Sequence, residues 1–256
     1  MKETEKPAAS APSRRDFIKS SALAASAFFI VPRHVLGKGY IAPSDKLNIA
    51  GIGVGGKGKS DLASFAKSPK VNIVALCDVD DRQAVDSRKA FPKAKYYKDF
   101  REMLEKEKNV IDACSISTPD HTHAVATLAA MQLGKHVYTQ KPLTHSINEA
   151  RILTQAAKKY KVVTQMGNQG ASGNGVRRMK EIYDSGIIGH VDRVLCWTNR
   201  PVWPQAVPTD KTFQVPKELD FDLWLGPAKK VPYNEAFLPW NWRGWWDYGT
   251  GALGDI

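Results

Sequence analysis

From residue 46 to about residue 170, short apolar runs alternate with segments of helical spacing, and this alternation constrains the fold more than any other feature. The apolar runs are KLNIAGIG, VNIVALCDVD, VIDACSIST, KHVYTQKP and VVTQMGNQG. Segments such as KSDLASFAKS and HTHAVATLAAMQLG lie between them and have the period of a helix. Nearly continuous apolar strands that alternate with helices are typical of a parallel sheet covered on both faces. The sequence therefore predicts an α/β fold with a doubly wound parallel sheet.

A glycine-rich turn follows the first predicted strand. Gly51, Gly53 and Gly56 form the pattern G-x-G-x-x-G immediately before a predicted helix. Glycines allow a tight turn and the close approach of a pyrophosphate, and the helix N-terminus offers N–H donors to an anion. Asp78 follows Gly56 by 22 residues, at the end of the second strand, where a carboxylate can accept hydrogen bonds from a ribose. The pattern predicts a dinucleotide site, and a glycine-rich turn without a ligand is the alternative.

The carboxylate of Asp78 also indicates which dinucleotide binds. A negative charge there would repel a 2′-phosphate, which favours NAD over NADP. Arg82 lies near enough in the sequence to accommodate such a phosphate, so NADP stays open as an alternative cofactor.

Two stretches at predicted strand ends carry side chains suited to chemistry. In STPDHTHA, Pro119 ends the third strand, Asp120 is predicted to cap the next helix, and two histidines, His121 and His123, lie where ligands bind in such sheets. A histidine at a helix end is also often structural. Lys141 ends the fourth predicted strand and could take part in proton transfer, although a surface lysine is the alternative.

Together, the glycine turn, TPDHTH, the Lys-Pro pair after the next strand and SGIIG resemble the Gfo/Idh/MocA oxidoreductases, the relatives of glucose–fructose oxidoreductase and inositol dehydrogenase. The resemblance implies a Rossmann domain, placed at residues 41–170. An open-sheet α+β domain would begin at residue 171 and run to residue 256, where it is incomplete. The resemblance also implies that the cofactor is contacted by the three glycines, Asp78, Pro119, His123 and Lys141.

The resemblance further implies two catalytic residues. Lys141 matches the lysine of a Glu-Lys-Pro motif beside the nicotinamide, although Gln140 stands in place of the glutamate. Asp255 in GTGALGD matches an aspartate of the second domain, and the histidine that follows it by four positions would lie past the last residue. We therefore expect a fragment of a longer protein, which forms a homo-oligomer when complete. A genuinely short protein that has lost activity is the alternative.

The resemblance implies hydride transfer between a nicotinamide and a secondary hydroxyl carbon of a sugar, glycoside or cyclic polyol. Six of the seven tryptophans fall between residues 203 and 246, and their flat faces, with Arg243 and Asp247, would suit a sugar ring. Packing in the core is the alternative for most of these rings. Two other functions stay open, namely an NAD-dependent glycoside hydrolase or lyase that oxidises its substrate transiently, and a non-catalytic nucleotide- or sugar-binding protein.

The first 40 residues have the features of an export signal. Arg14 and Arg15 precede an apolar run of about ten residues, which is too short to span a bilayer. The order Ser-Arg-Arg-x-Phe-Ile-Lys resembles the twin-arginine signal, which predicts recognition by the Tat export machinery and a periplasmic protein. This route carries folded proteins, so a bound nucleotide could travel with the chain. A basic, disordered arm is the alternative.

Composition excludes several other classes. The formal net charge is +11, but no basic stripe interleaves with aromatic residues, so no nucleic-acid partner is expected. The three cysteines, Cys77, Cys114 and Cys196, lie in apolar runs that predict buried strands. They support neither a disulfide framework nor a zinc site, and no metal is expected.

Overall fold

A computed structural model describes residues 41–199, Trp203 and residues 207–255, so the predicted leader at residues 1–40 lies outside the described residues. The chain divides into two compact units, one up to Lys46 and one from Leu47 onward. The described part of the first unit contains a short 3-10 turn at Pro43–Asp45.

Six parallel strands form the sheet of the second unit and confirm the predicted α/β architecture. They are β1 (Leu47–Ile52), β2 (Val71–Cys77), β3 (Lys95–Tyr97), β4 (Ala113–Ile116), β5 (His136–Gln140) and β6 (Thr164–Gly167). Their order across the sheet is β3-β2-β1-β4-β5-β6, and every neighbouring pair is parallel. The chain reverses its direction of progress at β1 and β4, and ligands bind at such a switch point, outside the carboxyl ends of the strands.

Helices connect consecutive strands and cover both faces of the sheet. They are α1 (Gly56–Phe65), α2 (Asp81–Ala90), α3 (Phe100–Glu107), α4 (Asp120–Gln132) and α5 (Ile147–Tyr160). Neighbouring strand residues point to opposite faces: Ala50 packs into one buried cluster with α3, α4 and α5, while Ile49 packs into another with α1 and α2. Ser146 and Glu149 begin α5 with reciprocal side-chain to backbone hydrogen bonds.

The apolar run around Cys196 predicts a strand at about residues 190–198, and the structure corrects this prediction. These residues form no strand, and their side chains are exposed. A lone strand leaves its backbone N–H and C=O groups without protein partners. Cys77 and Cys114 are buried as predicted, but Cys196 lies in this segment and is exposed, so its predicted burial is wrong.

The remaining described elements come after β6. They are α6 (Asn174–Asp184), α7 (Phe221–Leu225), α8 (Gly251–Asp255) and 3-10 turns at Gln169–Ser172 and Asn241–Gly244. Within the described residues, no helix has the length and apolar character needed to cross a membrane.

An aromatic cluster between residues 213 and 248 packs beside the carboxyl edge of the sheet. Its buried residues are Leu219, Phe221, Trp224, Leu225, Tyr233, Phe237, Trp242 and Tyr248. Backbone hydrogen bonds join residues 218–220 to residues 79–81, which follow β2. The ring centre of His121 lies 5.4 Å from the ring centres of both Trp224 and Tyr248. The ring nitrogens of His121 also lie 3.0 and 3.2 Å from the carbonyl oxygens of these two residues. The cluster is therefore fastened to the edge where ligands bind.

Candidate dinucleotide and substrate site

A cavity of about 520 Å³ lies at the carboxyl edge of the sheet. The glycine turn, the ends of β2, β4 and β5, and the tryptophan-rich segment contribute to its walls. Six of the eight predicted site residues line it, namely Gly53, Gly56, Asp78, Pro119, Lys141 and Asp255. Gly51 and His123 lie outside this lining.

The glycine turn has the geometry of a cradle. Gly53 has a φ of +74°, and a Cβ there would lie 2.8 Å from the carbonyl carbon and oxygen of Ser117. Gly56 has a φ of +41° and begins α1, whose first-turn N–H groups have no preceding helical turn to bind. Gly51 packs behind the turn, where a Cβ would lie 2.8 Å from the side chains of Leu62 and Val54.

A fourth glycine, Gly58, makes the closest approach between helix and strand. A Cβ at Gly58 would lie 1.8 Å from the carbonyl oxygen of Gly53 and 3.2 Å from the Cβ of Ser117. The three-glycine pattern does not include this residue, although the sequence GGKGK displays it. Gly58 therefore sets how closely α1 packs on the turn that would hold a pyrophosphate.

Asp78 lies beside the glycine turn, as the spacing predicts. Its carboxylate accepts hydrogen bonds from the backbone N–H groups of Val54 (2.9 Å), Gly55 (3.1 Å) and Asp80 (3.0 Å). Burial raises the pKa of Asp78 to about 6, although these three hydrogen bonds oppose the shift. The carboxylate is thus fixed at the turn and faces the cavity, where it suits the hydroxyl groups of a ribose.

The guanidinium of Arg82 forms a salt bridge with a neighbouring carboxylate. Its guanidinium donates from Nε and Nη2 to the two carboxylate oxygens of buried Asp80, at 2.8 and 2.7 Å. Arg82 does not line the cavity. Because this bidentate pair engages the guanidinium with Asp80, Arg82 offers a 2′-phosphate less than an unpaired arginine would, which favours NAD over NADP.

The two predicted catalytic residues meet in the cavity, although they lie 114 positions apart in the sequence. Lys141 Nζ at the end of β5 lies 3.0 Å from Asp255 Oδ1 on α8, and it also donates to the backbone carbonyl oxygen of Asp255. Arg243 Nε lies 3.5 Å from the same Oδ1. A buried carboxylate is thus shared by two cations at the sheet edge.

His123 and Asp120 have roles that the sequence alone did not reveal. The ring nitrogens of buried His123 lie 2.7 Å from the carbonyl oxygen of Pro142 and 2.9 Å from that of Thr118, so the ring joins two strand-end loops. Its predicted direct contact with a cofactor stays a prediction. Asp120 does not cap α4, because Pro119 occupies the cap position and the Asp120 carboxylate instead accepts a hydrogen bond from Thr250 Oγ1 at 3.0 Å. Burial raises the pKa of Asp120 to about 6.

Tryptophan rings form the wall opposite the strand ends. The guanidinium carbon of Arg243 lies 4.1, 4.2 and 5.6 Å from the ring centres of Trp240, Trp242 and Trp203. Trp203 is buried, and its indole N–H has no partner within the part of the chain that the structure describes. Trp224 and Trp242 are core residues, as the packing alternative predicts, whereas Trp240 and Trp246 are exposed.

Two family models match most of the chain. Residues 47–168 match the NAD-binding Rossmann fold of the Gfo/Idh/MocA oxidoreductase family, and residues 172–256 match the C-terminal alpha/beta domain of that family. The chain belongs to the Gfo/Idh/MocA family.

Individual relatives are similar over the same region. An inositol 2-dehydrogenase/D-chiro-inositol 3-dehydrogenase from Lacticaseibacillus casei is 30% identical over 56% of this chain and 41% of its own length. A glycosyl hydrolase family 109 protein from Shewanella sp. (strain MR-4) is 32% identical over 57% of this chain and 37% of its own length. The structure of myo-inositol 2-dehydrogenase from Lactobacillus plantarum has a TM-score of 0.53 and 28% identity, over 57% of this chain and 43% of that one. The chain thus spans about two fifths of the length of these relatives.

NAD is the cofactor of this family's Rossmann domain, and the residues present fit it. The glycine turn leaves no room for a Cβ at Gly53, α1 directs its N-terminus at the turn, and Asp78 lies where a ribose would bind. Among the described residues, no cluster of histidine, cysteine or acidic side chains could hold a metal ion.

Proposed function

We propose that the whole protein is an NAD-dependent oxidoreductase that transfers a hydride between the nicotinamide and a secondary hydroxyl carbon of a sugar, glycoside or cyclic polyol. The observation that carries the proposal is the Lys141–Asp255 pair, which lines the same cavity as the glycine turn and Asp78. A proton-transfer group and a dinucleotide cradle in one cavity are the two parts that alcohol oxidation requires.

Lys141, Asp255 and Arg243 would each have a separate role in this oxidation. Oxidation removes a hydride from the hydroxyl carbon and a proton from its oxygen, and bound NAD would supply the hydride acceptor. In its neutral form the Lys141 amine can take the hydroxyl proton, and the Asp255 carboxylate, 3.0 Å from Nζ, stabilises the ammonium that then forms. Arg243, against the same carboxylate, keeps Asp255 turned toward Lys141.

The tryptophan wall supports a ring-shaped, hydroxylated substrate. Aromatic faces pack against the apolar faces of such rings, and the unpartnered indole N–H of Trp203 offers a donor to a hydroxyl oxygen. The similarity to an inositol dehydrogenase supports a cyclic polyol as the first compound to test.

The test compares the wild-type protein with Lys141→Met and with the exposed control Lys67→Met. Stopped-flow absorbance would follow reduced nicotinamide formation against a panel of cyclic polyols and pyranosides, alongside an NAD-binding titration. We expect Lys141→Met to lose roughly 10²–10⁴-fold in rate and to keep its NAD affinity, because the turn and Asp78 hold the nucleotide. Wild-type rates in Lys141→Met would contradict the assignment of Lys141.

Glycoside cleavage through transient oxidation is the second candidate, and the similarity to a glycosyl hydrolase family 109 protein favours it. The same residues would serve, but the hydride would return to the product. Cleavage of a pyranoside without accumulation of reduced nicotinamide distinguishes this function from the dehydrogenase.

We also propose export to the periplasm by the twin-arginine route. The paired arginines, the phenylalanine and lysine that follow and the short apolar run support it. A dinucleotide held by a folded domain explains why a cofactor site and an export signal occur in one chain.

A further inference from the structure

A buried carboxylate that the proposed reaction does not use accepts a hydrogen bond from Gln140, the residue before Lys141. Asp61, on α1, is 5% exposed. Its Oδ1 accepts from Lys57 Nζ at 2.7 Å, and its Oδ2 accepts from Gln140 Nε2 at 2.6 Å and from Ser117 Oγ at 3.1 Å. One carboxylate therefore joins the first helix to the ends of β4 and β5.

Gln140 is the residue directly before Lys141, and its side chain has little freedom. It is 5% exposed, and it fills the space above Gly167 on the neighbouring strand β6, where a Cβ would lie 2.7 Å from Gln140 Nε2. The amide is thus confined between Gly167 and Asp61. A change at Asp61 would be felt at Gln140 and, through the backbone, at Lys141.

The contact between Asp61 and Gln140 tolerates one negative charge and needs one hydrogen-bond donor. A glutamate at position 140 would place a second carboxylate about where the amide now lies, 2.6 Å from Asp61, and two buried like charges at that distance cannot both stay ionised. An asparagine at position 61 would remove the charge that Lys57, Gln140 and Ser117 share and would leave buried donors poorly paired. The contact between positions 61 and 140 therefore requires one carboxylate and one amide, in either order, although the present order also serves Lys57 and Ser117.

We propose that Asp61 is a positioning residue for Lys141 that acts through Gln140, and that the carboxylate and amide of this pair can be exchanged between the two positions. The inference rests on the proposed function only where it calls Lys141 the proton-transfer group. Asp61 does not itself line the cavity, although its three hydrogen-bond partners Lys57, Ser117 and Gln140 do.

The test is a double-mutant cycle on the NAD-loaded protein with Asp61→Asn, Gln140→Glu and the two combined. Matched controls are Asp86→Asn, which removes an exposed carboxylate on α2 that pairs with Lys59 of α1, and Gln132→Glu at the exposed end of α4. Lysines are reductively methylated with ¹³C-formaldehyde, and the Lys141 signal is assigned by its loss in Lys141→Arg. The readouts are the position of that signal, the free energy of unfolding and the dissociation constant of NAD.

We expect each single variant to move the Lys141 signal by more than its line width and to lower the free energy of unfolding. The combined variant should return both toward wild type, and the two controls should leave the signal in place. Where hydride transfer can be measured, each single variant should lose roughly 10- to 100-fold in rate, as misplaced groups do.

Two outcomes would overturn the inference: a Lys141 signal that stays in place in both single variants, or a combined variant that shifts it by the sum of the singles. If the combined variant fails to fold, Gln140→Met removes the amide donor without adding charge, and an unmoved Lys141 signal in that variant would also overturn it. Failure to oxidise any polyol would contradict the proposed function. The double-mutant cycle could still be interpreted, because its readouts do not require turnover.

Discussion

At the scale of single residues, Asp78 is the side chain that we expect to set the preference for NAD over NADP. Its carboxylate is fixed by three backbone N–H groups, while Arg82 is held by Asp80. We predict tighter binding of NAD than of NADP, and we expect Asp78→Ser to narrow or reverse the difference, because serine removes the charge that repels a 2′-phosphate. Paired fluorescence titrations with the two dinucleotides measure this. Equal affinities in the wild type would show that another basic group offsets Asp78.

Asp120 makes stability depend on pH in an unusual direction. Burial raises its pKa from 3.8 to about 6, so the folded state binds this proton more tightly than the unfolded state does. The stabilisation by this proton is complete below pH 3.8 and is lost as the pH rises through about 6, where ionisation costs roughly 2–3 kcal/mol.

We therefore predict that Asp120→Asn gains stability relative to wild type as the pH rises from 4 to 7, since asparagine can still accept from Thr250. Urea unfolding at a series of pH values measures the difference. A constant difference across that range would mean that Asp120 does not titrate there.

Residues at strand ends were predictable where the local pattern fixes their place. Lys141 and Asp78 each follow an apolar strand, so topology alone brings them to one edge. The roles of Asp120 and His123 depend on Thr250, Pro142 and Thr118, which come from other loops. No local pattern contains these contacts, so the prediction of a helix cap failed.

At the scale of elements, the packing of α1 on the glycine turn depends on Gly58. A methyl group at Gly58 would overlap the carbonyl oxygen of Gly53, which is backbone and cannot rotate away. We predict that Gly58→Ala lowers the free energy of unfolding by about 1–3 kcal/mol and weakens NAD binding, because the helix must move off the turn.

The control for Gly58→Ala is Gly175→Ala on α6, where a Cβ meets nothing within 4 Å. Alanine there should be neutral or stabilising by up to about 1 kcal/mol. Urea unfolding and NAD titration of both variants measure the contrast. Similar behaviour of the two variants would show that α1 can shift without cost.

Elements with a clear hydrophobic pattern in the sequence were predicted, whereas elements that depend on pairing with another strand were not. β1, β2, β4, β5 and β6 all lie in apolar runs, whereas β3 is only three residues, KYY, too short to show a period. Residues 190–198 have the composition of a strand but form no strand in the structure. Pairing is a tertiary property, which explains both misses.

At the scale of the whole molecule, the predicted leader leads to a test of export. We predict that Arg14→Lys with Arg15→Lys retains the protein in the cytoplasm, because the arginine pair is what the receptor recognises. Cell fractionation measures the distribution, with Lys2→Arg as a control that leaves the pair intact. Normal periplasmic levels of the double variant would contradict the twin-arginine assignment.

The central claim, hydride transfer in the cavity shared by Lys141 and the glycine turn, is tested most directly by isotope transfer. The protein is loaded with NAD and mixed for a single turnover with cyclic polyols that are deuterated at their ring carbons. The mass of the released dinucleotide is then measured by mass spectrometry. We predict a dinucleotide heavier by one deuterium with the wild-type protein and an unlabelled one with Lys141→Met. An unlabelled dinucleotide from wild-type protein that binds NAD, across the whole panel of deuterated cyclic polyols, would contradict the account.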